Sequence, residues 1–395
     1  MTQLSAKADP LRLLIATAIA MLVIFVPAYL PTVHGGGAFP RDGTSLVAGR
    51  DFLNIWMYGR AAWEDDPARY YDIPTYLHAV AQQVGAGYPN QLWSYPPSAM
   101  LVAAPFGLLP YLPALLLWTL IGIVALVAAA RLWTRDWRII ALIVASPACL
   151  FGLISGQFAS LAAAILLAFL HWRTSRPLLA GALLGVLTVK PQLGLLIPLL
   201  LLVTGNWRAI AAATASTLLL VSAVALLWGP EIWHVYLAQG IDNQSLVLSD
   251  PDHLAGPFMP TLFMNLRLMG VPVSAAGAAQ TVLLLLAIGG VWWRFRQRPT
   301  ADDVGANAVF LACAVSATPY MLSYDSLALA AMAVLMAGRR VGGSLWTTLL
   351  YLLPLLQMAA GLVGIGGPAL LPPLFALGMI LACRPAHPQK IAMVN

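Results

Sequence analysis

Apolar runs of about 18 to 22 residues recur from one end of the chain to the other, and each is long enough to cross the hydrocarbon of a bilayer as a helix. The pattern predicts spans over residues 11–31, 111–131, 137–155, 158–172, 177–189, 191–204, 209–228, 273–293, 304–321, 325–338, 344–363 and 367–383, about twelve in all. Two longer polar intervals, 32–97 and 229–272, separate these runs as large loops. Residues 97–110 are too short to cross and are broken by Pro105, so they read as a partly inserted element. The first run is longer than a signal-peptide core and lacks a small-x-small site at its end, so it is expected to stay in the protein. The expected fold is an all-α polytopic membrane protein, one integral domain over residues 1–395, with interfacial helices in the first loop.

Composition agrees with this pattern. The chain is 60% hydrophobic and 9% charged, against roughly 25% charged in soluble proteins. No internal repeat and no soluble domain is visible. Most basic residues fall at alternate ends of the runs: Lys7 and Arg12; Arg131, Arg135 and Arg138; Arg173 and Arg176; Arg208; Arg294, Arg296 and Arg298; Arg339 and Arg340; Arg384 and Lys390. By the positive-inside rule these ends are cytoplasmic. Lys7, Arg384 and Lys390 then put both termini on that side, and most of the acids fall outside. The net charge of +6 is accounted for by these loops, so nucleic acid is not an expected partner. Cys149 and Cys313 lie inside apolar runs and Cys383 ends one, so no disulfide framework is expected. No Cys/His cluster suggests zinc, and neither metal nor cofactor is expected.

Candidate chemistry gathers at the external ends. The stretch from Gly49 to Trp63 places Asp51 at the head of an amphipathic helix, where its side chain is expected to cap the first turn. Asn54 and Tyr58 share a face with it, and Phe52, Ile55, Trp56, Gly59 and Trp63 make an apolar face. The helix is expected to lie on the bilayer surface, its polar edge toward a cavity. A carboxylate there is a helix cap or a general base for a hydroxyl held at the surface. Asp72 is expected to cap a helix from Ile73 to about Val84, with Pro74 in its first turn. Lys190 lies between two short apolar segments, followed by Pro191 and Gln192. It reads as an anion clamp or as a lysine that snorkels to the interface. Gly156-Gln157 is a polar turn, and Ser94-Tyr95-Pro96-Pro97 fixes an extended entry that puts Tyr95 at the interface. Thr318-Pro319-Tyr320 with Tyr324-Asp325 closes a span, where Asp325 is a cap or a site residue. Arg60 stands about two and a half turns from Asp51 and need not pair with it.

Taken in order, Gly49-Arg50-Asp51-Phe52, Ser94-Tyr95-Pro96-Pro97, Ser155-Gly156-Gln157, Val189-Lys190-Pro191-Gln192, Trp228-Gly229-Pro230 and Thr318-Pro319-Tyr320 with Tyr324-Asp325 resemble the GT-C membrane glycosyltransferases, and most nearly glycosyltransferase family 87. The resemblance implies a GT-C-type bundle whose two large loops cap the site. It implies Asp51 as catalytic base, with a polyprenyl-phosphate sugar as donor. The sugar would be a hexose such as mannose, the acceptor lipid- or glycan-linked, and the transfer inverting, on the outer face of a bacterial inner membrane. Lys190, Gln192, Arg60, Tyr320 and Tyr324 would then serve the donor, and Asn54, Tyr58, Tyr95, Gln157 and Asp325 the acceptor or the scaffold. Some relatives carry a histidine in the late stretch; here Tyr320, Tyr324 and Asp325 stand in that region. A transporter or flippase for a lipid-linked sugar is the alternative. It would need paired repeats and coupling charges in both halves, of which Lys190 is a lone candidate.

Overall fold

The helices sort into two kinds by what their side chains touch. The computed structural model describes residues 10–35, 37–89, 92–249 and 256–382; Lys7, Cys383, Arg384 and Lys390 lie outside the described residues. Five helices are long and apolar enough to cross a bilayer: Leu11–Thr32, Tyr111–Arg131, Trp207–Trp228, Val273–Phe295 and Ser344–Leu362. Their outer faces are apolar and exposed, as lipid-facing surfaces are; on Trp207–Trp228, Leu219 and Leu226 stand 70% and 86% exposed. The second kind is short and buried on every side. Ala159–Trp172, Val304–Ala317 and Leu327–Gly338 have no polar face because every face meets another helix.

By helix length alone, the expected count of about twelve spans is not confirmed: five helices, or six with one bent pair, are long and apolar enough to cross. At 1.5 Å per residue the 14 residues of Ala159–Trp172 rise about 21 Å, less than the roughly 30 Å of hydrocarbon. Pro177–Leu187, Pro191–Thr204, Val304–Ala317, Ser323–Gly338 and Pro368–Ala382 are similarly short. The predicted run at 137–155 is two helices, Trp137–Val144 and Pro147–Ser155, bent by 49°, and the pair makes a sixth span if counted as one. Pro147 causes the break. It disfavours helical backbone at Ser146, whose ψ is 148°, and Ser146 then caps the second helix by accepting from Cys149 N at 3.3 Å. The described residues contain no strand, only the isolated bridges His34↔Arg41 and Arg41↔Val47.

The helix Phe52–Ala61 forms as expected but does not lie with one wet face. Of its residues, Arg60 alone is exposed and Asn54 partly so. The reason is Gly59, whose missing Cβ lets this helix meet Ser98–Gly107 backbone to backbone, against Ala103 and Gly107. Ile73–Val84 is capped as expected, Asp72 Oδ2 accepting from Thr75 N at 3.0 Å, with Tyr76, Val80 and Val84 turned inward. The two large loops pack together. Asn243 Nδ2 donates to Tyr71 O at 2.9 Å and to Trp93 O at 3.2 Å, and Trp228 Nε1 donates to Ala62 O at 3.0 Å.

The buried helices also define two ends. Ala159–Trp172 begins beside Gln157 and finishes at Arg173; Leu327–Gly338 begins beside Asp325 and finishes at Arg339. At the arginine end, Arg173 Nη2 donates to Thr300 O at 2.9 Å and Arg339 Nη1 to Asp302 O at 2.8 Å. The other end holds Asp51.

Candidate active site

Asp51 occupies the N-cap position of Phe52–Ala61, yet its side chain caps nothing. The first-turn donors are taken by the backbone: Phe52 N donates to Gly49 O at 2.6 Å and Leu53 N to Arg50 O at 3.1 Å. Arg50 holds a φ of 34° to make that turn, and its Nε donates to Asp42 Oδ2 at 2.8 Å, with Asp42 fully buried. The expected cap is therefore corrected, and the carboxylate is left for other partners.

Those partners come from far along the chain. Tyr324 donates its hydroxyl to Asp51 Oδ2 at 2.8 Å, and Gln157 Nε2 donates to the same oxygen at 3.2 Å. Gly156 brings Gln157 there. It ends Pro147–Ser155 in the left-handed region, φ 60°, and a Cβ at this position would lie 2.8 Å from Gly49 O. Gln157 is held in turn, its Oε1 accepting from Phe158 N at 3.1 Å and its Nε2 donating to Tyr95 OH at 2.9 Å. Tyr95 is fixed through its backbone: its N donates to Tyr58 OH at 2.8 Å, and its O accepts from Tyr71 OH at 2.8 Å. Tyr58 stacks on Trp93 with parallel rings, and Asn54 Oδ1 accepts from Tyr76 OH. Asn54 and Tyr58 thus support the cluster and do not line it.

Lys190 completes the cluster. Pro191 keeps Lys190 out of the helical region, with φ −128° and ψ 74°, at the break between Pro177–Leu187 and the 3₁₀ turn Pro191–Gly194, where it is 3% exposed. Its Nζ donates to Asp325 Oδ1 at 2.8 Å and sits 5.1 Å from the centre of the Tyr324 ring. Asp325 Oδ2 accepts from Leu322 N at 3.3 Å, so both its oxygens are used. The buried lysine does not snorkel, and its ammonium already has a partner in Asp325. Sequence reasoning did not pair Lys190 with Asp325, since 135 residues separate them.

Of the other expected donor residues, Arg60 and Gln192 stand apart, whereas the field of Tyr320 reaches Tyr324. Arg60 is exposed and lies over the Trp56 ring at 4.9 Å. Gln192 is part of the 3₁₀ turn and half-buried. Tyr320 packs beside Met259 and Met264, its carbonyl accepting from Thr318 Oγ1 at 2.9 Å. Tyr71, Asp42 and Asn243 were missed. Tyr71 directly precedes the capping Asp72, which was its one local signal.

Burial raises the Asp51 carboxyl above its ordinary value. The hydrogen bonds from Tyr324 and Gln157, then the charges of Lys190 and Arg50, oppose that rise without cancelling it. The arrangement is a carboxylate of raised basicity with one oxygen, Oδ2, held by two neutral donors. It can accept a proton from a hydroxyl brought to it. No group of three or more His, Cys, Asp and Glu side chains able to hold a metal ion occurs among the described residues.

The family model for glycosyltransferase family 87 matches residues 93–323, more than half of the chain. The chain belongs to glycosyltransferase family 87. Its several long apolar helices make it a multi-pass membrane protein. The match contains Tyr95, Gln157 and Lys190; Asp51 precedes it, and Tyr324 and Asp325 follow at its edge. An α-(1→3)-arabinofuranosyltransferase of Mycobacterium tuberculosis, in strains CDC 1551 / Oshkosh and ATCC 25618 / H37Rv, is 28% identical over 235 residues, which cover 55% of this chain and 51% of the relative. The chain therefore spans about half the length of the curated relatives it matches. No solved structure matches it.

Proposed function

We propose that this family 87 glycosyltransferase moves one sugar, with inversion, from a polyprenyl-phosphate donor to a lipid- or glycan-linked hydroxyl. The observation that carries the reading is Asp51 itself: a carboxylate that caps nothing and is joined through Gln157 to Tyr95 and through Tyr324 to Lys190. The acceptor hydroxyl gives its proton to Asp51 as its oxygen bonds to the anomeric carbon. The bond from that carbon to the phosphate oxygen breaks on the opposite face, and its electron pair leaves with polyprenyl phosphate. A phosphate leaves as a stable anion, so positioning and charge stabilisation outweigh acid catalysis. Lys190 and Arg50, the cations whose fields reach Asp51, oppose the negative charge that grows on the phosphate.

The same reading puts the Asp51 end outside a bacterial inner membrane, with the arginine end cytoplasmic by the positive-inside rule. The loops 32–97 and 229–272 cap the site in a GT-C-type bundle, with Ile73–Val84 as an interfacial helix. The family resemblance favours a hexose such as mannose. A second reading, an arabinofuranosyl donor, is favoured by the activity named for the matched relatives.

The test is to incubate the purified chain in lipid bilayers with each polyprenyl-phosphate sugar separately. Transfer should release one free polyprenyl phosphate per sugar moved and invert the anomeric centre. The donor sugar that supports turnover decides between hexose and pentofuranose. Movement of an intact donor across the bilayer, with no bond broken, would instead make the chain a transporter.

A further inference from the structure

Both hydrogen bonds to Asp51 land on one oxygen. Tyr324 OH and Gln157 Nε2 lie 2.8 Å and 3.2 Å from Oδ2, and no described side chain donates to Oδ1. Each donor is itself held. Gln157 is fixed by Phe158 N and Tyr95 OH, so its amide cannot turn away without losing both contacts. Tyr324 is 6% exposed, and the Lys190 ammonium on its ring is tied to Asp325. A carboxylate gripped through one oxygen presents the other in a fixed direction. Oδ2, already accepting twice, is the poorer place for a third proton donor.

We propose that Tyr324 and Gln157 are positioning residues that hold Asp51 by Oδ2 and so make Oδ1 the atom that takes the acceptor's proton. The inference rests on the reading of Asp51 as general base. It moves Tyr324 from the expected donor contact to the support of the base. Two neutral donors favour the ionised form of Asp51, so removing either makes the carboxyl harder to ionise. The other titratable and charged groups facing Asp51 are Lys190, Arg50, Tyr88, Tyr95 and Tyr111. All of them stay in place in the variants below. Burial raises the Tyr88 and Tyr95 hydroxyls above their ordinary range, so neither titrates beside Asp51.

The experiment compares wild type, Tyr324→Phe and Asp51→Asn, with donor and acceptor varied across pH. The base works only when ionised, so kcat/KM should rise with pH through the Asp51 titration. In Tyr324→Phe that ascending limb should move up by about one to two pH units, the worth of a hydrogen bond to a charged group. KM for the donor should stay within about twofold, and at pH well above the limb kcat should recover to within about tenfold of wild type. Difference infrared spectra against Asp51→Asn should show the Asp51 carboxylate band titrating at correspondingly higher pH, without reference to turnover. Gln157→Asn, which withdraws Nε2 from Oδ2, should move the limb the same way and serves if Tyr324→Phe does not fold. An unmoved limb with a donor KM raised tenfold would make Tyr324 a substrate contact and overturn the inference, while leaving Asp51 as base. Full turnover in Asp51→Asn would overturn the base itself.

Discussion

Two buried cations mark the two ends of this molecule, and they are held in different ways. Arg173, 1% exposed, spends its guanidinium on the scaffold: Nη1 donates to Leu170 O at 2.8 Å and to Asn307 Oδ1 at 2.7 Å, and Nη2 to Thr300 O at 2.9 Å. Backbone carbonyls and an amide cannot be titrated away, and the planar fork suits several fixed acceptors at once. Lys190, 3% exposed, is held by a single carboxylate and an aromatic face, and both belong to the stretch that also touches Asp51. The first arrangement stitches the ends of helices together. The second links ionisable side chains into one unit. Burial alone therefore does not mark a functional charge; what satisfies the charge does.

The largest effect that would break this comparison is at the ion pair. Lys190→Met should destabilise by about 3–5 kcal/mol, because Asp325 is left charged and buried. Adding Asp325→Leu should recover most of that in thermal unfolding, since removing both charges leaves no orphan. The folded double variant should still turn over poorly, because Tyr324 has lost the ammonium on its ring. Normal turnover in the double variant would reduce Lys190 to a structural cation like Arg173.

Arg173→Met should cost less, about 1–3 kcal/mol for the acceptors it leaves unpaired at the arginine end. Turnover per folded molecule should match wild type, and a fall in it would mean that the two ends are not separable. The smallest perturbation concerns sidedness. Cysteines at the exposed positions Asp65 and Asp242 should label from outside intact spheroplasts with an impermeant thiol reagent, and one at Ser175 only after lysis. Cys149 and Cys313 are buried and should stay silent. Labelling of Ser175→Cys in intact cells would invert the topology.

Much of this was legible in the sequence, for identifiable reasons. The five polar stations stood out because a polar residue in an apolar chain is costly and conspicuous, and Asp72 announced its helix by local capping chemistry. Which runs form long lipid-facing helices and which form short buried ones was not legible. Hydrophobic runs look alike whether a helix faces lipid, as Trp207–Trp228 does, or other helices on every side, as Val304–Ala317 does. The role of Asp51 as a cap was misread because the backbone of Gly49 and Arg50 took the donors it would have capped. Which station would meet which was also hidden: the partners of Asp51 lie 106 and 273 residues away.

The claim that Asp51 is the base of the transfer is tested most directly by a single-turnover measurement on Asp51→Asn with the donor that wild type uses. The amide keeps the size of the side chain and can still hold a hydroxyl, but it cannot take its proton. The rate of sugar transfer should fall by about 10²- to 10⁴-fold, with donor affinity and thermal unfolding close to wild type. A folded Asp51→Asn protein that transfers sugar at the wild-type rate would contradict the account.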